Sequence, residues 1–249
     1  MKKNLTPAER LIVAADFKPT PGIGNTPRFW VRSKVLELTD RLENTGVYLK
    51  VNSASRACGY DLSDDIHKRG LKVFLDLKFF DIPETLSTDG VLLREAKPEL
   101  LTVVCSAGIA AMRALKEELP DTEILGVTVL TSQNDADCLK MYSCITDVAV
   151  NRLAEWALKS GIGGVISSAK EAEAVRRIIG PNMTINTPAI RPTWAIVPAD
   201  DQNPERIMTP AKAIKAGADR IVVGRPITKA KDPYDAVMRT IEEIASAIE

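Results

Sequence analysis

The stretch whose reading decides the fold is Val73-Phe74-Leu75-Asp76-Leu77-Lys78-Phe79-Phe80-Asp81-Ile82-Pro83-Glu84-Thr85. It opens as an apolar run of strand type. Charges then appear where a buried strand carries none. Side chains alternate between the faces of a strand, so Phe74, Asp76 and Lys78 share one face and Val73, Leu75 and Leu77 the other. Taking a carboxylate and an ammonium out of water costs several kcal/mol each. A strand end that holds both is therefore a candidate site. Asp81 falls where the strand must be ending, and Pro83 suits the first turn of a helix. The run is a strand-to-helix junction that carries Asp76, Lys78 and Asp81. A structural ion pair would give the same local pattern, so the other strands decide.

Working outward, 11–16 reads as a first strand that ends in Asp16, and 46–52 as a second with Lys50 near its end. Further strands are expected at 99–105, 123–130, 163–166, 183–186 and 220–223. Helices are expected at 29–42, 61–69, 85–96, 110–119, 145–160, 169–179, 211–216 and 234–248. Short apolar strands separated by amphipathic helices indicate a parallel sheet. Eight such units in 249 residues predict a single-domain closed (β/α)8 barrel, a TIM barrel, over 1–249. An open doubly wound sheet is the alternative, but no Gly-rich dinucleotide fingerprint follows the first strand.

Lys and Arg total 33 against 33 Asp and Glu, so no global field favours nucleic acid or an anionic membrane. The expected partner is a small molecule. No apolar stretch approaches the ~20 residues that span a bilayer, and the run 11–15 is too short for a signal peptide. The expected location is the cytoplasm. The four cysteines (Cys58, Cys105, Cys138 and Cys144) have no metal-type spacing. His67 is the only histidine; it lies in a polar helical stretch and reads as solvated. A His-based triad or His-rich metal site is nearly excluded.

Barrels of this kind carry their active sites at the C-terminal ends of the strands. Asp16, Lys50, Asp76 and Lys78 fall there, giving alternating charges from three adjacent strands at one rim. A second cluster follows strands seven and eight, the usual phosphate corner. Gly224 lets backbone N–H groups approach an anion closely, and a short helix beginning about Ile227 adds its N-terminus. Arg191 and Arg225 are suited to forked contacts with phosphate oxygens. The aperiodic loop 187–204 reads as a lid. The residues alone therefore describe a phosphorylated small molecule held at one side of a barrel mouth, with a charge network facing its reactive end. No metal cage or cofactor fingerprint is apparent.

The segment 76–85 resembles the DxKxxDIPxT signature of the orotidine 5′-phosphate decarboxylase family. The resemblance spans nearly the whole chain. It includes Ala15-Asp16, Leu49-Lys50-Val51, Val127-Thr128-Val129-Leu130-Thr131-Ser132, Thr187-Pro188-Ala189-Ile190-Arg191-Pro192, Asp201-Gln202, Arg206-Ile207-Met208-Thr209-Pro210 and Val223-Gly224-Arg225-Pro226-Ile227-Thr228. It implies conversion of orotidine 5′-phosphate to UMP and CO2, the last step of de novo pyrimidine synthesis, without a metal or organic cofactor. By resemblance, Lys78 is the proton donor to C6 of the pyrimidine and Asp76 lies against the substrate carboxylate. Lys50 and Lys78 stabilise charge at C6, and Asp16 and Lys50 contact the ribose. Thr131 contacts the pyrimidine. Arg191, Gln202, Gly224 and Arg225 bind phosphate, with Gln202 on a lid around 190–205. A homodimer is implied, in which Asp81 and Thr85 reach the partner's site. Glu84, Asn52, the segment 104–107 and extra lid residues around Asn203-Pro204 depart from the commonest pattern. Metal-dependent relatives in the same superfamily place a Mg²⁺-binding carboxylate at the end of strand two, where this chain has Lys50.

Overall fold

The computed structural model describes residues 4–19, 26–195 and 208–248. Eight parallel strands close into a barrel in sequence order, so the TIM-barrel expectation holds. They are β1 (Leu11–Ala14), β2 (Tyr48–Val51), β3 (Lys72–Phe79), β4 (Leu100–Val104), β5 (Glu123–Val127), β6 (Gly164–Ile166), β7 (Thr184–Thr187) and β8 (Arg220–Val223). Pairing of β1 with β8 closes the ring, so among the described residues no barrel strand is left with a bare edge.

The helices around this ring are α1 (Pro27–Arg41), α2 (Ser53–Cys58), α3 (Leu62–His67), α4 (Pro83–Leu93), α5 (Ile109–Glu118), α6 (Asp135–Tyr142), α7 (Thr146–Ser160), α8 (Ala172–Ile179), α9 (Pro210–Lys215), α10 (Arg225–Thr228) and α11 (Pro233–Ile248). Two were not expected from the sequence. The α2 turn is six residues long and rich in small residues, which leaves no readable period. The α6 helix follows a polar loop, and its start is set by Asn134, whose side chain accepts the Asp137 N–H while Asp137 reciprocates. Strand five is shorter than expected and stops at Val127.

Alternation divides the strand residues into two layers. Leu11, Val13, Leu49, Val51, Val73, Leu75, Leu101, Val103, Ile221 and Val223 pack outward into the helices. Ile12, Ala14, Tyr48, Phe74, Leu100, Leu125 and Val222 fill the barrel interior. Phe74 and Leu75 therefore sit on the faces expected of them.

Below this apolar layer, at the N-terminal ends of the strands, lies a polar plug. Arg220 is 1% exposed. Its guanidinium donates to Glu123 at 3.0 and 3.1 Å and to Asn186 Oδ1 at 3.2 Å. It also lies 5.1 Å from the centre of the Tyr48 ring. Burial alone would lower the Arg220 pKa, but the Glu123 carboxylate outweighs it and the pKa is raised. Gly164 makes room for this plug: a Cβ there would lie 2.2 Å from Thr184 Oγ1.

His67 is not simply solvated. Its Nε2 lies 3.1 Å from Glu99 Oε2 in a half-buried pair, and the same oxygen accepts the Val73 N–H at 2.6 Å. The loop entering β4 carries Glu99 back beneath α3, a contact that local sequence does not reveal.

Candidate active site

The strand ends β1, β2 and β3 place their charged residues side by side, because parallel register aligns Ala14 with Lys50 and Lys50 with Phe74. The result is one line of alternating charge. Asp16 accepts from Lys50 Nζ at 2.8 Å, Lys50 Nζ lies 3.2 Å from Asp76 Oδ2, and Lys78 Nζ donates to Asp76 Oδ1 at 2.6 Å. Lys50 is 8% exposed and Asp76 7%, so water screens the middle of the line weakly. Burial would push the Asp76 pKa up; Lys50 and Lys78 outweigh it and hold the carboxyl below the usual range. Burial would likewise lower the Lys50 pKa, but Asp76 and Asp16 raise it. Both groups are held in their charged forms.

Lys78 reaches Asp76 by a route that simple alternation does not describe. Its φ is +51°, in the left-handed region. The pairing of β3 with β4 shifts register between Leu75 and Phe79, a bulge at the strand end. Thr102 on β4 fills the gap: its hydroxyl accepts the Lys78 N–H at 2.9 Å and donates to Asp76 Oδ1 at 3.0 Å. Sequence reasoning missed Thr102. The available signal was a polar residue at an inward position of an otherwise apolar strand, Leu100–Val104.

A cavity of about 410 Å³ opens over this line. Asp16, Lys50, Asp76 and Lys78 line one part of it, and Arg191, Gly224 and Arg225 another; Thr131, Ser167 and Pro188 are also in its wall. Arg191 is buried, and its backbone N–H donates to Met208 O at 3.0 Å, which ties the exit of β7 to the entry of α9. β8 ends directly in Gly224 and the short α10. Eight expected residues (Asp16, Lys50, Asp76, Lys78, Thr131, Arg191, Gly224 and Arg225) thus share one cavity.

Two others do not line it. Asp81 is exposed and accepts the Ile82 N–H at 2.7 Å, and Thr85 lies in the first turns of α4. Phe80 and Ile82 beside Asp81 are each 64% exposed, an apolar surface around the carboxylate. Gln202 and the expected lid beyond residue 195 lie outside the described residues. Residues 193–195 of that loop form a short 3-10 turn. All four cysteines are free thiols, and burial pushes Cys105 up to about 12, which leaves it inert at neutral pH.

Residues 9–240 match the sequence model of the orotidine 5'-phosphate decarboxylase / HUMPS family. The chain belongs to this family. An orotidine 5'-phosphate decarboxylase of Methylobacterium sp. (strain 4-46) is 38% identical, over 99% of this chain and 100% of the relative. Another from Laribacter hongkongensis is 39% identical, over 90% of this chain and 88% of its own. Among solved structures, orotidine 5'-phosphate decarboxylase from Lactobacillus acidophilus superposes with a TM-score of 0.75 at 28% identity, covering 95% of this chain and 99% of that one. An uncharacterized conserved protein from Geobacillus kaustophilus gives 0.76 at 26% identity, covering 94% and 99%. The family likeness thus extends over both charge clusters, from β1 to α11.

Proposed function

We propose that this chain decarboxylates orotidine 5′-phosphate to UMP and CO2, the last step of de novo pyrimidine synthesis. The observation that carries the reading is the unbroken line Asp16–Lys50–Asp76–Lys78 facing one cavity with Arg191 and Arg225. Relatives bearing that activity in their names support it at 38% and 39% identity.

In this reading Arg191, Gly224, Arg225 and Gln202 hold the phosphate. Asp16 and Lys50 take the ribose hydroxyls, and Thr131 takes the pyrimidine. The nucleotide is then held with its C6 carboxylate against Asp76. Asp76 stays anionic, because its pKa is held low. Two carboxylates face each other in the ground state, and loss of CO2 relieves that repulsion. The electron pair left at C6 faces the preorganised ammonium groups of Lys50 and Lys78. A proton passes from Lys78 Nζ to C6; the N–H bond breaks, the C–H bond forms, and solvent returns a proton to the amine. Contacts at the distant phosphate contribute to this geometry. All these steps use groups of the protein and solvent water, so the reading is cofactor-free.

The protein acts as a homodimer in this account, with Asp81 and Thr85 completing the partner's site. The exposed Phe80 and Ile82 supply an apolar surface for that contact. The free thiols fit a reducing cytoplasm.

The other arm of the family description is HUMPS. Lys50 argues against its metal-dependent chemistry here, since an ammonium between Asp16 and Asp76 repels a divalent cation. The test is loss of orotidine 5′-phosphate absorbance in excess EDTA, beside Lys78→Ala. Fast turnover by the native chain and none by the variant, with UMP binding retained, is expected. Substantial turnover by Lys78→Ala would remove Lys78 as proton donor, and activity on a sugar phosphate restored by Mg²⁺ would replace the reading with the other arm.

A further inference from the structure

Between the β3 pairs Leu75↔Leu101 and Phe79↔Val103, β3 advances by more residues than β4. The peptide unit joining Leu77 to Lys78 lies inside this bulge, and side chains hold it at both ends. Its carbonyl, Leu77 O, accepts from Arg56 Nη2 at 2.8 Å. Its N–H, on Lys78, donates to Thr102 Oγ1 at 2.9 Å. The same hydroxyl donates to Asp76 Oδ1 at 3.0 Å, and that oxygen accepts Lys78 Nζ at 2.6 Å. Lys78 meanwhile sits at φ +51°, a conformation that side chains with a Cβ avoid. Such a conformation persists only where its surroundings over-determine it.

We infer that Thr102 and Arg56 are positioning residues that clamp the Leu77–Lys78 peptide and thereby aim the Lys78 ammonium along the reaction axis. Neither is among the residues lining the cavity, so both act through Lys78. Thr102 is fully buried on β4 and contacts both the backbone of Lys78 and its carboxylate partner. Arg56 comes from α2, which begins two residues after β2 and its Lys50. The clamp thus couples the two lysine-bearing strands. Releasing it lets the peptide turn toward extended geometry and carries Nζ off Asp76. The inference rests on the reading of Lys78 as proton donor.

The experiment compares native protein with Thr102→Val, Thr102→Ser and Arg56→Met, by steady-state kinetics and by crystal structures. Thr102→Val keeps the side chain's shape and removes both hydrogen bonds. It is expected to lower kcat about 10²-fold, the scale for a reacting group displaced by about 1 Å. KM stays near native, because the phosphate corner is untouched. Thr102→Ser keeps the hydroxyl and restores kcat; a merely space-filling role for Thr102 would make serine the worse substitute. Arg56→Met lowers kcat by less, and its exposed position on α2 keeps it folded should Thr102→Val fail to fold. In the crystal structures of the impaired variants, Lys78 leaves the left-handed region. Native kcat in Thr102→Val and Arg56→Met, or an unchanged Lys78 φ in both, overturns the inference. If the native chain itself turns over no orotidine 5′-phosphate, the decarboxylase reading fails, and the Lys78 φ in the variants still decides the clamp.

Discussion

At Asp76, burial drives the carboxyl toward its neutral form while Lys50 and Lys78 drive it toward the anion, and the two ammonium groups win. A carboxyl whose folded pKa lies below its unfolded value of ~3.9 stabilises the fold above that value and loses the contribution as pH falls through the folded pKa. Lys50 is the mirror case. Its raised pKa gives stability that is complete below ~10.4 and is lost as pH rises through the folded value. Asp76→Asn leaves the buried Lys50 with Asp16 as its remaining carboxylate partner, so the loss stays below the roughly 3 kcal/mol of a buried charge left wholly unpaired. Urea unfolding at neutral pH should therefore show the variant destabilised, by about 1–3 kcal/mol. The gap should narrow as pH falls below the folded pKa of Asp76. A gap that stayed constant into strong acid would detach it from the carboxylate's charge.

At the scale of elements, β3 and β8 set the cavity's charged groups by where they end. β8 delivers Arg225 directly to the cavity rim, and charge-assisted hydrogen bonds are worth ~1.5–3 kcal/mol. Arg225→Ala should raise KM about 10- to 100-fold by that measure, with a smaller loss of kcat and an unchanged melting temperature. Native kinetics in this variant would place the phosphate elsewhere. The end of β3 shows what element-level reading misses. The alternation of Val73–Leu77 was legible because a strand turns successive side chains to opposite faces, which puts Asp76 on the Phe74 face. The turn at Lys78 was not, because its cause is Thr102 on a different strand. Helix α6 escaped for a related reason: its start depends on a reciprocal cap between Asn134 and Asp137 rather than on an apolar period.

In the whole molecule, the polar plug and the reaction site occupy opposite ends of the barrel, so they should be separable. Arg220→Met leaves Glu123 buried and unpaired, which should cost about 3–5 kcal/mol in unfolding experiments while kcat/KM of the folded enzyme holds. Adding Glu123→Met should recover most of the loss, and a double-mutant cycle measures the coupling. A large fall in kcat/KM for folded Arg220→Met would show the two ends are linked. The proposed dimer makes a second prediction at this scale. Lys78→Ala and Asp81→Ala should each be inactive alone. Mixed under subunit exchange, they should regain turnover, because one hybrid site pairs a native Lys78 with a native Asp81. Failure to regain turnover in confirmed hybrids would confine Asp81 to its own subunit.

What the sequence by itself determined here is the barrel and the residue types at its rim. Eight apolar strands alternating with helices admit few ways to bury both faces of a sheet, and charges at the ends of buried strands are too costly to be casual. From those two facts Asp16, Lys50, Asp76 and Lys78 could be named by number, and Arg225 from its place in the loop after strand eight. What only the tertiary structure decided is how those groups meet. The closure of β1 on β8 joins Gly224 and Arg225 to the charge line in one cavity. Thr102, Arg56 and the left-handed Lys78 depend on hydrogen bonds between residues distant in the chain. His67 with Glu99 and Arg220 with Glu123 do as well. A hydrogen bond is a matter of tenths of an ångström between particular atoms, and the strand packing that sets those distances leaves no mark on local periodicity.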